Sequence, residues 1–267
     1  DRADAARAWS YFDQNTRPGT GLVDSTKAFP STTMWDQGSY LLALVSAWRL
    51  GLVDRENFDT RSSNLLASLS RLALFDGKLP NKAYNTETLE MVDYTNTPVA
   101  GGIGWSALDL SRLLLALRVL ERHAPWQGEM VRSLIARWNI GALAREGELV
   151  GATRDEGTVA LWQEGRIGYE QYAARAAALW GLDVIAAMSA GRVLSWENVA
   201  GVTVAIDRRS HTVFRAITPT LSEPYMLQGL ELGFDSETAF LAGSVYAAQE
   251  ARHMLTGIPT MVSEDHI

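Results

Sequence analysis

The sequence predicts an all-α protein, built as a barrel of helical hairpins with one small β excursion. Three observations predict this fold class. Apolar residues recur at helical spacing along most of the chain, strand signals are few, and short connections alternate with long polar ones. In such a barrel the long connections form the active cleft at one end. With 267 residues and 47% hydrophobic content, the chain can bury one large core or two small ones. We predict one domain over 1–267.

Seven segments carry helical periodicity. In 35–52, Leu41, Leu44 and Trp48 lie on one stripe with the spacing of an amphipathic helix. Segment 103–120 is apolar nearly all round, which predicts a helix buried on most faces. The long predicted helices are 35–52, 58–72, 103–120, 169–188 and 236–255, and the short ones lie near 2–14 and 127–138.

One part of the chain has the alternation of a β-hairpin. The valine-rich segment 201–207, "GVTVAID", alternates apolar and polar residues. The segment 212–218, "TVFRAIT", is a candidate partner strand across "RRSH". We therefore predict a hairpin near 201–218.

Composition narrows the classes of partner. The net charge of −7 argues against a nucleic acid or an anionic membrane surface. The chain has no cysteine, and no apolar run approaches the ~18 residues of a membrane span. Its first residue is Asp1 rather than methionine, which indicates a processed or trimmed product.

Nine tryptophans and eight tyrosines fit an aromatic core, the favoured interpretation, or rings that stack on sugars.

Carboxylates gather in the long connections, 15–34, 73–103, 139–168 and 207–234. The sequence has no G-x-S-x-G motif, and its four histidines lack metal-ligand spacing, so we expect no metal and no cofactor. Acids, aromatics and amides without a thiol or a triad fit glycoside hydrolysis, in which two carboxylates act on one bond. The candidate catalytic acids are Asp24, Asp36, Glu164 and Glu170. The candidate substrate-binding residues are Trp35, Tyr94, Asn96, Trp105, Trp162, Arg166, Tyr169, Glu223, Tyr225 and Glu231.

Several of these acids also have structural interpretations. Asp36 stands at a helix start, where a carboxylate stabilises the helix dipole. Asp24 lies in a turn-like segment, and Glu231 fits a solvated loop charge.

The segment 162–173, "WQEGRIGYEQYA", holds the central pair of acids. Glu170 lies in the first turn of a predicted helix, where the dipole lowers a carboxyl pKa and suits a base or nucleophile. Glu164, beside Trp162, is the expected proton donor with a raised pKa. If Arg166 pairs with either glutamate, that glutamate becomes structural.

Seven motifs, in chain order, resemble a bacterial envelope family of glucoamylase-like domains of unknown function (domain of unknown function 3131). They are "TTMWDQGSYLLALVSAWRLG", "LPNKAYNT", "MVDYTN", "GWSALDLSRLL", "QEGRIGYEQYAARAAALWG", "SEPYMLQGLELG" and "TGIPTMVSEDHI". The resemblance runs from about residue 11 to the last residue. It implies an (α/α)6 toroid, a periplasmic or otherwise exported setting and a link to bacterial polysaccharides.

The family is similar, more distantly, to toroidal enzymes that act on β-1,2-glucans. In those, an acid follows a Gly-Tyr-Ser-Glu-like pattern, which "IGYEQY" matches in part at Glu170. A six-hairpin toroid needs about twelve helices, and the sequence predicts seven. We therefore expect a truncated or clipped toroid, with a second copy or a fragment to cover the gap.

Two alternatives to a hydrolase or transglycosylase remain open at this point. One is a non-catalytic protein that binds glycans or serves as a scaffold for polysaccharide biosynthesis. The other is a polysaccharide lyase, which the lack of a basic cleft disfavours.

Overall fold

The computed structural model describes residues 1–155, 157–209, 212 and 220–260. Its helices are α1 (Arg2–Asn15), α2 (Met34–Arg49), α3 (Arg55–Arg71), α4 (Ala107–His123), α5 (Gly128–Ile135), α6 (Tyr169–Ala178), α7 (Glu223–Leu227) and α8 (Ser236–Thr256). Its strands are β1 (Ser31–Thr33), β2 (Leu74–Phe75), β3 (Leu79–Pro80), β4 (Ala83–Asn85), β5 (Met91–Val92), β6 (Ala144–Arg145), β7 (Glu148–Asp155), β8 (Thr158–Gln163), β9 (Leu194–Val199) and β10 (Val202–Asp207).

Helices α2, α4 and α6 pack side by side and run in the same direction. Near the start of α2 and α4, Arg112 donates to Ser39, and a Cβ on Gly38 would come within 2.9 Å of the α4 backbone. Between α4 and α6, Arg112 bonds to Tyr172 near the N-terminal ends, and Arg118 bonds to the carbonyl of Leu179 near the C-terminal ends. The N-termini of the three helices therefore lie at one end of the molecule.

The other helices flank this layer. Trp9 of α1 stacks on Tyr40 of α2, with ring centroids 6.4 Å apart. Helix α3 contacts the turn before α5, where Gln127 donates to Ser62 at 2.9 Å. One large apolar cluster joins these elements, and it includes the buried rings of Tyr40 and Phe58. Burying such side chains supplies the main driving force for folding.

The prediction of an all-α fold is wrong, because small sheets connect the helices. The largest hairpin pairs β7 with β8, with Gly151 opposite Trp162, inside a segment that we predicted as an irregular connection. Strand β7 is buried at four consecutive residues, 149–152, so both of its faces are covered there. Three short strands, β1, β4 and β5, form a second sheet.

One strand of the predicted β excursion is present. Segment 201–207 forms β10 as expected, but β10 pairs with the preceding strand β9 in an antiparallel hairpin. Segment 212–218 lies outside the described residues except for Thr212. The hairpin packs on α8 through a second apolar cluster that includes Val204 and Val245. On its outer face α8 exposes large apolar side chains, among them Phe240 and Met254.

Six of the seven predicted helices are present with ends that differ by a few residues, and the seventh is shorter than expected. The helix predicted over 169–188 ends at Ala178. The chain turns through Gly181, which has a left-handed φ of +80°, a conformation that glycine adopts without steric cost. Apolar periodicity continues past the turn because Val184 and Ala187 are buried in the same core.

Candidate active site at the helix N-termini

Three half-buried carboxylates meet where α2 and α4 begin. Asp36 lies in the first turn of α2, and Asp109 lies in the first turn of α4. Glu164 comes from the loop after β8, and its carboxylate binds the start of α4. One of its oxygens accepts from the Ser106 hydroxyl at 2.7 Å, and the other accepts from the Ala107 N–H at 2.6 Å. Each acid keeps part of its surface accessible to solvent.

The β7–β8 hairpin delivers Glu164 to this point. The N–H of Glu164 donates to the carbonyl of Leu149, which continues the pairing of the two strands by one residue. Opposite the carboxylate stands Gly151, where a Cβ would lie 2.2 Å from an oxygen of Glu164. Glycine at 151 therefore leaves the space that the carboxylate occupies.

Burial raises the pKa values of all three acids, and repulsion by the other two adds to the shift of Asp109. Burial, followed by the charge of Glu164, raises the pKa of Asp109 to about 7. Burial also raises the pKa of Glu164, although its bonds from Ala107 and Ser106 oppose the shift. The expected upward shift for Glu164 is confirmed. In Asp36, burial raises the pKa against the hydrogen bonds from Thr33 and the charge of Arg112. At neutral pH, Asp109 is thus poised to hold a proton.

A lysine and a tyrosine stand beside the acids. Lys82 donates to the Thr153 hydroxyl at 3.0 Å, and its charge lowers the pKa of both Asp109 and Glu164. Loss of hydration, followed by the charges of those two acids, raises the pKa of Tyr94 to about 12. Its hydroxyl therefore lies within electrostatic reach of the two carboxylates, while the residue as a whole is 62% exposed. An exposed ring beside a group of carboxylates suits stacking on a sugar.

Arg112 connects α4 to α2, to α6 and to the segment after α7. Its guanidinium donates to Ser39 at 2.8 Å, to the Tyr172 hydroxyl at 2.7 Å and to both oxygens of Glu231 at 3.1 Å. It also lies 4.7 Å from the ring centroid of Trp35. Glu231 is therefore an ion-pair partner rather than a solvated loop charge.

Trp35, Tyr169 and Glu223 form a connected group next to Arg112. The rings of Trp35 and Tyr169 meet edge to face, with centroids 5.8 Å apart. The Tyr169 hydroxyl donates to the carboxylate of Glu223, which is exposed. The structure thus brings three of the predicted binding residues together at the start of α6 and α7.

Glu170 is placed differently from the other acids. It is 2% exposed, and Arg209 donates to both of its oxygens, at 3.2 and 2.5 Å. The prediction of a lowered pKa at Glu170 is wrong, because burial raises the pKa to about 7 against the pull of Arg209. Arg166, whose pairing with either glutamate was left open, is buried and donates to Gln163 at 2.7 Å.

The other predicted residues lie in the core or in loops. Asp24 is 3% exposed, and Arg17 and Thr86 donate to its carboxylate. Trp105 is 2% exposed, and its indole N–H donates to the carbonyl of Val150. Three others are Tyr225, which is buried in the second apolar cluster, Asn96, which accepts from Asn85 in a loop, and Trp162, which is 48% exposed on β8.

Sequence reasoning missed Asp109 and Arg112. Both lie in the helix that was predicted as apolar nearly all round, so each is an ionisable residue in a buried context. The spacing of Ser106 and Asp109 also marks a helix start with an acid in its first turn. Tyr172, in α6, accepts from Arg112 and donates to Glu231.

The described residues offer neither a cluster of metal ligands nor a membrane-spanning helix. In the part of the chain that the structure describes, no group of three histidine or acidic side chains is arranged to hold a metal ion. Within the same residues, no helix is both long enough and apolar enough to cross a membrane.

Comparison with known proteins places this architecture among glucoamylase-like folds. The sequence profile of a family described as "Protein of unknown function (DUF3131)" matches residues 3–267. No curated protein matches the sequence. A glucoamylase-like protein of Bacteroides fragilis is similar in structure, with a TM-score of 0.63, 13% identity and coverage of 94% of this chain and 65% of its own. One from Bacteroides uniformis gives a TM-score of 0.65 at 10% identity, covering 95% and 65%.

An endo-β-1,2-glucanase of Chitinophaga pinensis is also similar, with a TM-score of 0.54 at 13% identity, covering 77% of this chain and 54% of that enzyme. The chain thus spans 65% of the length of the glucoamylase-like proteins. At these identities the likeness concerns the fold alone.

Proposed function

The chain belongs to the DUF3131 family of proteins of unknown function, and from that premise we propose that it is a glycoside hydrolase or transglycosylase acting on a bacterial glucan or exopolysaccharide. The observation that carries the proposal is the meeting of Asp36, Asp109 and Glu164 at the N-termini of two parallel helices. The glycoside hydrolase-like fold of the protein agrees with hydrolysis by a pair of carboxylates.

In the proposed reaction, Asp109 protonates the glycosidic oxygen as the bond to the anomeric carbon breaks. Its pKa of about 7 keeps the proton available at neutral pH, which is the usual requirement for a general acid. Asp36 is the second carboxylate, which either activates a water molecule or attacks the anomeric carbon. Glu164 supports the donor, because its charge contributes to the raised pKa of Asp109.

The substrate is proposed to lie across the aromatic residues around these acids. Tyr94 offers an exposed ring beside Asp109, and Trp35 with Tyr169 offers a second surface beside Asp36. The neutral sugar rings of a glucan match such surfaces, since their C–H faces pack on aromatic rings. Glucans linked β-1,2 are the first to test, because one structural neighbour is a β-1,2-glucanase.

The proposal includes the architecture and the setting that the family resemblance implies. Helices α2, α4 and α6 would be inner helices of an (α/α)6 toroid, with α3 and α5 in the outer layer. The protein would work in the periplasm or outside the cell, where bacterial polysaccharides are accessible. Export can be checked by fractionating cells that produce the full-length protein.

The proposal is tested by incubating the protein with a panel of glucans and measuring new reducing ends and products by mass spectrometry. The variants are Asp36→Asn, Asp109→Asn and Glu164→Gln, and the control is Asp76→Asn at the exposed pair with Lys78. We expect turnover by the wild type and the control, and a fall of about 10²–10⁴-fold for Asp109→Asn. Saturable glycan binding without any product would instead identify a non-catalytic glycan-binding protein.

A further inference from the structure

We propose that Glu170, Asp207 and Arg209 form an ion clamp that positions Glu164, so that Glu170 is a positioning residue and not a catalytic one. The inference deepens the proposed function and rests on it, because it assigns a further role within the same site. It also contradicts the expectation that Glu170 acts on the substrate.

The clamp is a buried arginine held between two carboxylates. Arg209 donates to both oxygens of Glu170, at 3.2 and 2.5 Å. The same guanidinium donates to both oxygens of Asp207, at 2.9 and 2.5 Å. Bidentate pairs of this kind are strong and geometrically specific. All three residues are less than a tenth exposed, which leaves Glu170 little surface for contact with a substrate.

The clamp holds both ends of the loop that carries Glu164. At the far end, the N–H of Ile167 donates to Asp207 at 3.0 Å. At the near end, the side-chain amide of Gln163 donates to Glu170 and to the carbonyl of Glu164, each at 2.9 Å. Glu164 therefore lies between two points that the ion pairs fix.

The backbone of this loop is shaped to fit the clamp. Gly165 has a φ of +103°, and a Cβ there would lie 2.8 Å from the Cβ of Glu170. Gly168 has a φ of +93° before the first turn of α6. Both glycines permit a tight bend that brings Glu170 against its own loop. The loop then aims the Glu164 carboxylate at Ser106 and Ala107.

Two cations and two carboxylates meet in the clamp. Arg166 interacts electrostatically with Asp207, Glu170 and Arg209 in this buried space, and Glu148 also acts on Glu170. Removing one member leaves an uncompensated buried charge, whereas removing an oppositely charged pair does not. This difference distinguishes a clamp from a catalytic carboxylate.

The test compares Glu170→Gln with the double variant Glu170→Gln/Arg209→Met, which removes one carboxylate and one cation together. We expect Glu170→Gln to lower kcat by about 10²-fold through misplacement of Glu164, with a smaller change in KM. The double variant is expected to recover at least about fivefold of that loss, as coupled residues do. Lys78→Met, at an exposed ion pair, is the control and should change neither constant.

A double variant that is no more active than Glu170→Gln would overturn the inference, since no second substitution restores a missing catalytic group. A second measurement does not depend on turnover. Amide hydrogen exchange at Ile167 should accelerate at least about tenfold in Glu170→Gln and slow again in the double variant. Unchanged exchange at Ile167 would refute the clamp even if no glycan is turned over, whereas absent wild-type turnover by itself counts against the proposed function.

Discussion

The carboxylate of Glu164 accepts a hydrogen bond from the hydroxyl of Ser106 at 2.7 Å, across the gap between a β-hairpin and the start of a helix. Ser106 is the N-cap of α4, and its hydroxyl oxygen also accepts from the Asp109 N–H at 3.1 Å. Ser106 thus connects Glu164 and Asp109, the two acids whose charges interact. Through it, the position of the hairpin governs the environment of the proposed proton donor.

The first prediction concerns the pH dependence of turnover. Asp109 must be protonated to act as an acid, so the rate should fall as the pH rises through its pKa of about 7. Glu164→Gln removes the nearby negative charge that helps to raise this pKa. We expect the alkaline limb of the kcat profile to move to lower pH in this variant. The limb should stay in place in Asp76→Asn, and an unmoved limb in Glu164→Gln would contradict the assignment of the donor.

Local spacing predicted the helices well because each amphipathic stripe is contained in its own segment, as in α2. The site depends on contacts between distant segments and was only partly predictable. In the sequence, Asp109 is an ordinary acid at a helix start. Only the folded chain places Glu164 at the same helix end. The role of Glu170 depends on Arg209, which follows a hairpin whose first strand, β9, sequence analysis did not identify. The β7–β8 hairpin carried a weaker signal, two short apolar runs on either side of a glycine-containing turn, without the strict alternation that marks a strand.

A second prediction links the same acid to stability. The pKa of Asp109 is about 7 in the folded protein and near its ordinary value of 3.8 when the chain is unfolded. Between these values the folded state binds more protons, so the contribution to stability is lost as the pH rises toward 7. We expect Asp109→Asn to raise the free energy of unfolding at pH 8 by about 1–3 kcal/mol. At pH 4, urea unfolding should show little difference from the wild type.

A third prediction tests the space kept for Glu164. A methyl group on residue 151 would lie 2.2 Å from its carboxylate oxygen, so Gly151→Ala must displace the carboxylate or the hairpin. We expect a loss of about 1–3 kcal/mol in the free energy of unfolding, measured by denaturant titration. Turnover should fall by at least about tenfold, because the displaced carboxylate no longer supports Asp109.

Gly19→Ala is the matched control for that substitution, since a Cβ at residue 19 meets nothing within 4 Å. It should leave stability and turnover close to the wild-type values. Wild-type turnover in Gly151→Ala would show that the exact position of the Glu164 carboxylate does not matter.

The last prediction compares Trp105 and Tyr94, two aromatic residues that were both predicted from the sequence to bind substrate. Trp105 is 2% exposed and packs against Phe75, so Trp105→Ala should cost about 3–5 kcal/mol of stability. Tyr94 is 62% exposed, so Tyr94→Ala should change stability by no more than about 0.5 kcal/mol. Its effect should appear instead as about a tenfold rise in KM, the scale of one lost aromatic contact. Tyr94→Phe, which keeps the ring, should retain most of the affinity if stacking is what Tyr94 contributes, and an equal loss in both variants would assign the contribution to the hydroxyl.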